Sequence, residues 1–195
     1  MEGNVKKALS IVGSSRLNGD RQKEDFYPTP GYVVEELLNR EKFVGKIWEP
    51  AVGEGDMTEI FKKFGYDTYS TDLVDRGYGD GQLDFLKCDV SFGCSSIITN
   101  PPYSLALEFV NKAKTLLLND DAKFAMFLKT VFLESAGRYE MFQDKKFPLK
   151  SIYQFSKRVS LYKDGKKMKN GGMIAYAWYV WDKNYAGKPT IEWIL

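Results

Sequence analysis

The sequence predicts an α/β protein built on a mostly parallel sheet that is covered by helices on both faces. Two observations lead to this prediction. Short apolar runs alternate with segments whose apolar residues recur at helical spacing, as in strands joined by crossover helices. Near the C-terminal end, two further apolar runs flank the polar stretch KDGKKMKNGG, which predicts a hairpin that adds an antiparallel edge.

The first half of the domain contributes two helices and two strands. Residues 1–24 are polar and predict a flexible tail. A helix is expected at 31–38, directly after the Thr29-Pro30 pair, and a strand at 46–50, where the run KIWEP stands. Apolar residues at helical spacing predict a helix at 57–64, and the next apolar run predicts a strand at 66–72.

The second half repeats the alternation and then changes character. Apolar runs predict strands at 96–99, 124–128 and 151–155. Amphipathic patterns between them predict helices at 105–117 and 133–142. The hairpin strands are expected at 158–162 and 174–181. No repeat or second domain is evident, so residues 25–195 are expected to form one domain.

The composition excludes several classes of protein. The chain has 195 residues, of which 44% are hydrophobic and 15% aromatic, which suits a globular domain rather than a disordered chain. The net charge of +2 indicates no particular partner. No apolar run is long enough to cross a membrane and no signal peptide is evident, so we expect a cytoplasmic protein without a membrane partner.

The chain contains no histidine and only two cysteines, Cys88 and Cys94. The absence of histidine excludes mechanisms that use imidazole as a base or a ligand. Two cysteines are too few for a zinc site, so we expect no metal. Any chemistry must proceed without an imidazole.

The run SIITNPPYSLA ends a predicted strand abruptly at Asn100, Pro101, Pro102 and Tyr103. Two consecutive prolines cannot donate backbone hydrogen bonds, so the strand must end there. The residue before a proline is restricted to extended geometry. The predicted result is a stiff loop that holds the Asn100 amide and the Tyr103 ring in fixed positions. Taken alone, these residues fit either a rigid turn or a catalytic loop.

A second feature is the glycine-rich run EPAVGEGDM at 49–57, between a strand and a helix. Gly53 and Gly55 allow a tight turn and a close approach of the backbone to a ligand. Glu49 and Asp72 end consecutive strands about twenty residues apart, where an acidic side chain can bind ribose hydroxyls. Because parallel strands end at one crevice, these carboxyls are expected to converge with Asn100.

The glycine-rich run differs from a phosphate-binding loop. It lacks the sequence Gly-Lys-Ser/Thr, and Glu54 and Asp56 place negative charge where a phosphate would lie. A cationic, phosphate-free nucleoside such as S-adenosylmethionine therefore fits better than ATP or NAD. The alternative is an ordinary glycine turn.

Together these segments resemble the compact S-adenosylmethionine-dependent DNA N6-adenine methyltransferases of phages and prophages. The matching segments DFYPTP (25–30), EPAVGEG (49–55), DL (72–73), LDFL (83–86) and NPPY (100–103) stand in the family's order. The resemblance implies a Rossmann-like class I methyltransferase fold with a seven-stranded sheet. It also implies S-adenosylmethionine as cofactor, S-adenosylhomocysteine as product and DNA as substrate.

The resemblance assigns roles to individual residues. In the family, the acidic position at Asp72 and its neighbour Leu73 hold ribose and adenine, and the pair at Asp84 and Phe85 contacts the edge and face of the adenine. The implied cofactor contacts are Tyr27, Thr29, Pro30, Glu49, Pro50, Ala51, Val52, Gly53, Gly55, Asp72, Leu73, Asp84, Phe85 and Asn100. The implied catalytic residues are Asn100, Pro101, Pro102 and Tyr103.

The catalytic signature has a chemical rationale. The lone pair of the adenine amine is delocalised into the ring, so the amine is a poor nucleophile. The Asn100 side-chain oxygen and the Pro101 carbonyl are expected to accept its two N–H groups and to stabilise the positive charge that develops during attack. Tyr103 is expected to stack on the target base.

A base in duplex DNA must be flipped out to reach such a site. Basic residues around the hairpin are candidate phosphate contacts, although a charged solvent-exposed turn explains them equally well. Tyr162 either flanks the flipped base or packs in the core. The candidate phosphate contacts are Lys157, Arg158, Lys163, Lys166, Lys167 and Lys169.

Other readings stay open, because NPPY also occurs in enzymes that methylate adenine in RNA or a glutamine amide in protein. A non-catalytic module that binds nucleic acid or cofactor is a further alternative. We expect no separate target-recognition domain, and hence a recognition sequence that is short, relaxed or read by the hairpin and the N-terminal tail. We also expect a monomer or weak dimer.

Overall fold

A computed structural model describes residues 27–163, 166–167 and 174–195. The predicted tail at 1–24 and Lys169 lie outside the described residues. The helices are α1 (Gly31–Leu38), α2 (Asp56–Lys63), α3 (Ala106–Leu116) and α4 (Tyr139–Gln143). The strands are β1 (Lys46–Glu49), β2 (Thr68–Asp72), β3 (Gly81–Gln82), β4 (Cys94–Thr99), β5 (Lys123–Lys129), β6 (Leu149–Phe155), β7 (Tyr162–Lys163), β8 (Lys166–Lys167), β9 (Tyr176–Asp182) and β10 (Thr190–Ile194).

Eight of the described strands form one mixed sheet in the order β10-β6-β9-β5-β4-β1-β2-β3. Strand β9 runs antiparallel to both of its neighbours, β5 and β6, whereas every other adjacent pair is parallel. Strands β7 and β8 form a separate antiparallel hairpin. The predicted fold class, a mostly parallel sheet with an antiparallel hairpin, is confirmed.

The C-terminal part departs from the prediction in two respects. Residues 158–161 are not strand, and β9 pairs with β5 and β6 instead of with 158–162. Because β9 is apolar on both faces, it is buried inside the sheet rather than at its edge. The sequence analysis missed β3 and β10, which form the two edges of the sheet and, with six of the expected strands, make eight.

The helix expected at 133–142 is shorter than predicted. Single 3-10 turns occupy Thr130–Leu133 and Ala136–Arg138, and α4 begins at Tyr139. The Arg138 side chain donates hydrogen bonds to the carbonyls of Phe132, Val131 and Glu134, and its guanidinium lies over the Phe132 ring. These carbonyls are therefore satisfied without a continuous helix.

Two apolar layers cover the sheet. One contains α3 and the other contains α1 and α2, so the alternation of elements produces the expected cover on both faces. Trp178 and Trp181 of β9 are fully buried, and the Trp178 indole donates to the Val33 carbonyl at 2.7 Å. Both tryptophans therefore belong to the core, one on each face of the sheet.

The buried Glu41 carboxylate lies at the end of the sheet where the parallel strands β5 and β6 begin. Glu41 is 2% exposed and accepts hydrogen bonds from Lys123 at 2.9 Å, Lys150 at 2.8 Å and the Tyr153 hydroxyl at 2.8 Å. Burial by itself would raise the pKa of Glu41, but these three donors outweigh it and lower the pKa below its ordinary value. These hydrogen bonds connect the segment that follows α1 to the strands β5 and β6.

Candidate active site

A cleft opens at the carboxyl ends of β1, β2 and β4, where the fold brings three sequence segments together. It encloses about 610 Å³, open solvent included. The position is the one at which parallel α/β sheets bind ligands. The residues that line the cleft are Tyr27, Pro28, Thr29, Glu49, Ala51, Val52, Asp56, Met57, Asp72, Leu73, Val74, Arg76, Asn100 and Pro102.

The glycine-rich loop and Asp72 are held to each other. Gly53 and Gly55 have φ of 58° and 94°, which glycine adopts without strain, and they produce the predicted tight turn between β1 and α2. The Gly53 N–H donates to Asp72 Oδ2 at 2.8 Å, and the Val74 N–H donates to Oδ1 at 2.9 Å. These bonds fix the Asp72 carboxylate at the cleft.

The group that closely approaches the Gly55 backbone is the Tyr78 ring. A Cβ atom at Gly55 would lie 2.6 Å from the Tyr78 ring, so only glycine fits beneath this side chain. The Tyr78 hydroxyl contacts both Glu59 and Lys62 of α2. Tyr78 thereby closes the loop after β2 onto the glycine-rich loop.

Three carboxyl groups line the cleft and make it acidic: the buried Glu49, the half-buried Asp72 and the exposed Asp56. Glu49 is buried and accepts a hydrogen bond from the Thr58 hydroxyl. Burial, supported by the negative charges of Asp56 and Asp72, raises the pKa of Glu49 well above its ordinary value. Burial and the nearby Glu54 also raise the pKa of Asp56. Carboxyl groups so crowded favour a cationic ligand.

The Asn100 amide lies at the side of the cleft with its orientation determined by two contacts. Its Nδ2 donates to the Tyr27 carbonyl at 3.2 Å and lies 3.0 Å from Thr29 Oγ1. A backbone carbonyl can only accept, so the NH₂ group must face Tyr27. The Oδ1 atom is consequently on the other side, where it is buried and has no hydrogen-bond partner. An unsatisfied buried acceptor of this kind calls for an explanation.

The Tyr103 ring is more enclosed than the sequence suggested. It stacks on Tyr27 with the centroids 6.3 Å apart, lies 5.6 Å from the Tyr176 ring, and has the Lys129 ammonium 4.9 Å from its centroid. Its hydroxyl is buried, and burial raises the pKa of this phenol well above its ordinary value. Stacking of a base on Tyr103 therefore requires one of these groups to move.

Asp84 and Phe85 are not brought to the cleft. Phe85 is 2% exposed and packs edge-on against Trp48 and beside Phe109 in the α3 layer. Asp84 caps the 3-10 turn Phe85–Lys87 by accepting the Leu86 N–H. A hydrogen bond therefore explains the position of the Asp84 side chain, and core packing explains that of Phe85.

Among the other predicted contacts, Pro30 caps α1 and lines the groove beside the cleft, and Pro50 and Pro101 are buried. Sequence reasoning did not assign Met57, Val74 or Arg76 to the site. Arg76 Nη1 lies 3.5 Å from Asp72 Oδ1. The position of Arg76, four residues after the predicted ribose-binding acid, was the available signal.

A second groove adjoins the cleft. It shares Pro28, Thr29 and Asp56 with it and continues to Tyr32, Arg158 and Ser160. Of the predicted phosphate contacts, Arg158 therefore stands near the cleft and Lys157 is exposed. For Tyr162, Lys163, Lys166 and Lys167 the structure describes only the backbone of the hairpin.

The described residues show neither a metal site nor a membrane-spanning helix. They contain no group of three or more His, Cys, Asp or Glu side chains placed to hold a metal ion. None of the helices in the described ranges is both long enough and apolar enough to cross a bilayer.

Comparison with solved structures identifies the fold. A Pyrococcus horikoshii protein assigned as an RNA methyltransferase has a TM-score of 0.62 at 15% identity over 92% of this chain and 98% of its own. A Listeria monocytogenes protein assigned as a class I S-adenosylmethionine-dependent methyltransferase has a TM-score of 0.58 at 12% identity over 98% of this chain and 72% of its own.

A further neighbour is an S-adenosylmethionine-dependent methyltransferase from Archaeoglobus fulgidus, with a TM-score of 0.53 at 8% identity over 78% of this chain and 92% of its own. No protein-family model matches the chain, and the search of curated proteins found no match. At such low identities the likeness shows the fold, which is the Rossmann-like class I methyltransferase fold.

Proposed function

We propose that this protein transfers a methyl group from S-adenosylmethionine to the exocyclic N6 amine of adenine in DNA. The observation that carries the proposal is the buried, unpartnered Oδ1 of Asn100 at the side of an acidic cleft. An oriented acceptor with no partner in the protein suits an amine that must be hydrogen-bonded as it reacts.

The cleft residues fit the proposed cofactor. The Asp72 carboxylate, held by Gly53 and Val74, would accept the ribose hydroxyls. The sulfonium and ammonium groups of the cofactor are positive and would favour the ionised forms of Asp56 and Glu49, whose carboxyl groups line the space. Bound there, S-adenosylmethionine supplies a methyl group attached to a sulfonium, which is an electrophile.

The chain's own residues then act on the amine. Asn100 Oδ1 accepts one N–H of the target amine, and the Pro101 carbonyl is proposed to accept the other. The amine nitrogen forms the new bond to the methyl carbon while the electron pair of the breaking carbon–sulfur bond stays on sulfur. The nitrogen then loses a proton to solvent. The two acceptors are stronger partners for the cationic transition state than for the neutral amine, so they lower the barrier.

Several observations favour a nucleic acid as the carrier of the amine. The order of the five sequence segments resembles the DNA N6-adenine enzymes, and Arg158 lies in the groove that adjoins the cleft. A cation at that place can contact a phosphate of a flipped nucleotide. Among the structural neighbours, the Pyrococcus horikoshii protein is assigned as an RNA methyltransferase, which makes RNA the second substrate to test.

The proposal is tested by offering radiolabelled S-adenosylmethionine with unmethylated DNA, with RNA and with bulk protein in parallel reactions. Nucleoside analysis of the labelled DNA should identify N6-methyladenine. Label in RNA or on a glutamine amide would replace the substrate but keep the reaction. Cofactor binding without transfer to any of the three would reject an enzymatic role in favour of a binding module.

A further inference from the structure

The segment Tyr27–Thr29 lies against the NPPY loop although the two are far apart in sequence. We propose that this segment is a positioning element for the Asn100 amide, and that the Thr29 hydroxyl acts through Asn100 rather than by contacting the cofactor. This inference rests on the proposed function and adds a determinant of its rate. It departs from the role that the family resemblance implies for Thr29.

The two contacts to Asn100 have different consequences. The Tyr27 carbonyl decides which way the amide points, because it can only accept and would repel Oδ1 if the amide turned over. The Thr29 hydroxyl can donate or accept, so it accepts from Nδ2 in the observed orientation. Removing this hydroxyl leaves Nδ2 with one of its two hydrogen bonds, the one to the Tyr27 carbonyl.

Flanking prolines and contacts with α1 and the NPPY loop restrict the movement of the segment Tyr27–Thr29. Thr29 is 4% exposed and stands between Pro28 and Pro30, which restrict the backbone on both sides. The Pro30 carbonyl accepts the Val33 N–H at 3.0 Å and so attaches the segment to α1. The Tyr27 ring stacks on Tyr103 and adds a second contact with the NPPY loop. A rigid support of this kind lets a small side chain orient the amide.

The chain offers a matched control for Thr29. Thr99 immediately precedes Asn100, is fully buried, and its hydroxyl has no hydrogen-bond partner. Thr29→Val and Thr99→Val make the same chemical change near the same amide, but only the first removes a bond to it. Thr29→Ser keeps the hydroxyl and serves as the conservative rescue.

We expect Thr29→Val to lower the single-turnover rate of methyl transfer by about three- to tenfold, the usual effect of one lost hydrogen bond. The dissociation constant for S-adenosylmethionine, measured by calorimetry, should stay within about twofold because the hydroxyl is not a cofactor contact. Thr29→Ser and Thr99→Val should both retain the wild-type rate. Thermal melts establish that each variant is folded.

A readout without turnover keeps the inference separate from the proposed function. In protein labelled with ¹⁵N-asparagine, the Asn100 side-chain signals are assigned by their loss in Asn100→Ala. Their hydrogen exchange should be faster in Thr29→Val and unchanged in Thr99→Val. This comparison decides the positioning role even if the wild type methylates none of the polymers, which would reject the proposed function alone.

Three results would overturn the positioning role. The first is an unchanged rate together with a raised cofactor dissociation constant in Thr29→Val, which would make Thr29 a cofactor contact. The second is an equal loss of rate in Thr99→Val, which would indicate general packing. The third is unchanged exchange of the Asn100 amide in Thr29→Val.

Discussion

Replacing Asn100 with alanine is the most direct test of the proposed chemistry. The variant loses one of the two proposed acceptors for the reacting amine and keeps the Pro101 carbonyl. Loss of one preorganised transition-state hydrogen bond costs about 2.7–4 kcal/mol in other enzymes, which corresponds to about a hundred- to a thousandfold in rate. We therefore expect methyl transfer to fall by at least about a hundredfold.

The effect on stability should be much smaller than the effect on rate. Asn100 makes two hydrogen bonds, to the Tyr27 carbonyl and to Thr29, and each contributes about 0.5–1.5 kcal/mol. Their loss amounts to about 1–3 kcal/mol, below the ~5–15 kcal/mol that keeps a domain folded. Asn100→Ala should consequently remain folded, and because the cleft carboxylates are untouched it should still bind S-adenosylmethionine.

The assay is single-turnover transfer of a radiolabelled methyl group to DNA from a host without adenine methylation, with cofactor affinity measured in parallel. Asn111→Ala, at an exposed position of α3, is the matched control and should keep the wild-type rate. A rate for Asn100→Ala within about threefold of wild type would refute the reasoning.

Three further outcomes are expected. Asp72→Ala should raise the dissociation constant for S-adenosylmethionine by about tenfold or more, by calorimetry, because it removes the proposed ribose acceptor. Glu41→Gln should lower the free energy of unfolding by about 1–3 kcal/mol at pH 7, by urea denaturation, because Lys123 and Lys150 lose the charge of Glu41 and keep only that of Asp182. The pKa of Glu41 is lowered in the folded state, so this difference should be present above about pH 4.3 and shrink as the pH falls further. The pKa of Glu49 is raised in the folded state, so the wild type should lose stability relative to Glu49→Gln as the pH rises above about 4.3, in urea denaturation at pH 5 and pH 8.

Each of these outcomes has a contrary result that would remove its premise. An unchanged cofactor affinity in Asp72→Ala would take Asp72 out of the binding site. A penalty for Glu41→Gln that stays constant down to pH 3 would show that charge on Glu41 does not stabilise the fold. A stability difference between wild type and Glu49→Gln that is the same at pH 5 and pH 8 would mean that Glu49 ionises normally.

The elements that the sequence predicted well are those whose signal is local. The helix Gly31–Leu38 follows a proline, and β1 and β4 are short apolar runs that end in polar residues. The strand β10 was missed because it is only five residues long and Glu192 interrupts its apolar residues, so it lacks the continuous apolar run of the buried strands. Strand β9 was recognised, but its partners were not, because the choice between β5, β6 and 158–162 depends on contacts distant in sequence.

The candidate site shows the same division. The glycine turn, the acid that ends β2 and the stiff NPPY loop are consequences of residue type, and the structure brings all three to one cleft. Phe85 was assigned to the cofactor, but its ring packs on Trp48 in the core. An aromatic side chain next to a short strand can face either way, and packing against neighbours chooses between them.

By itself, the sequence determined the alternation of elements, the turn at Gly53, the end of β4 at Pro101 and a chemistry without imidazole. These follow from backbone restrictions and from composition, which act within a few residues. Only the tertiary structure decided the orientation of the Asn100 amide, because the Thr29 oxygen that holds it is 71 residues away along the chain. A side-chain amide has two nearly identical ends, and its surroundings in the fold select which end meets the Tyr27 carbonyl.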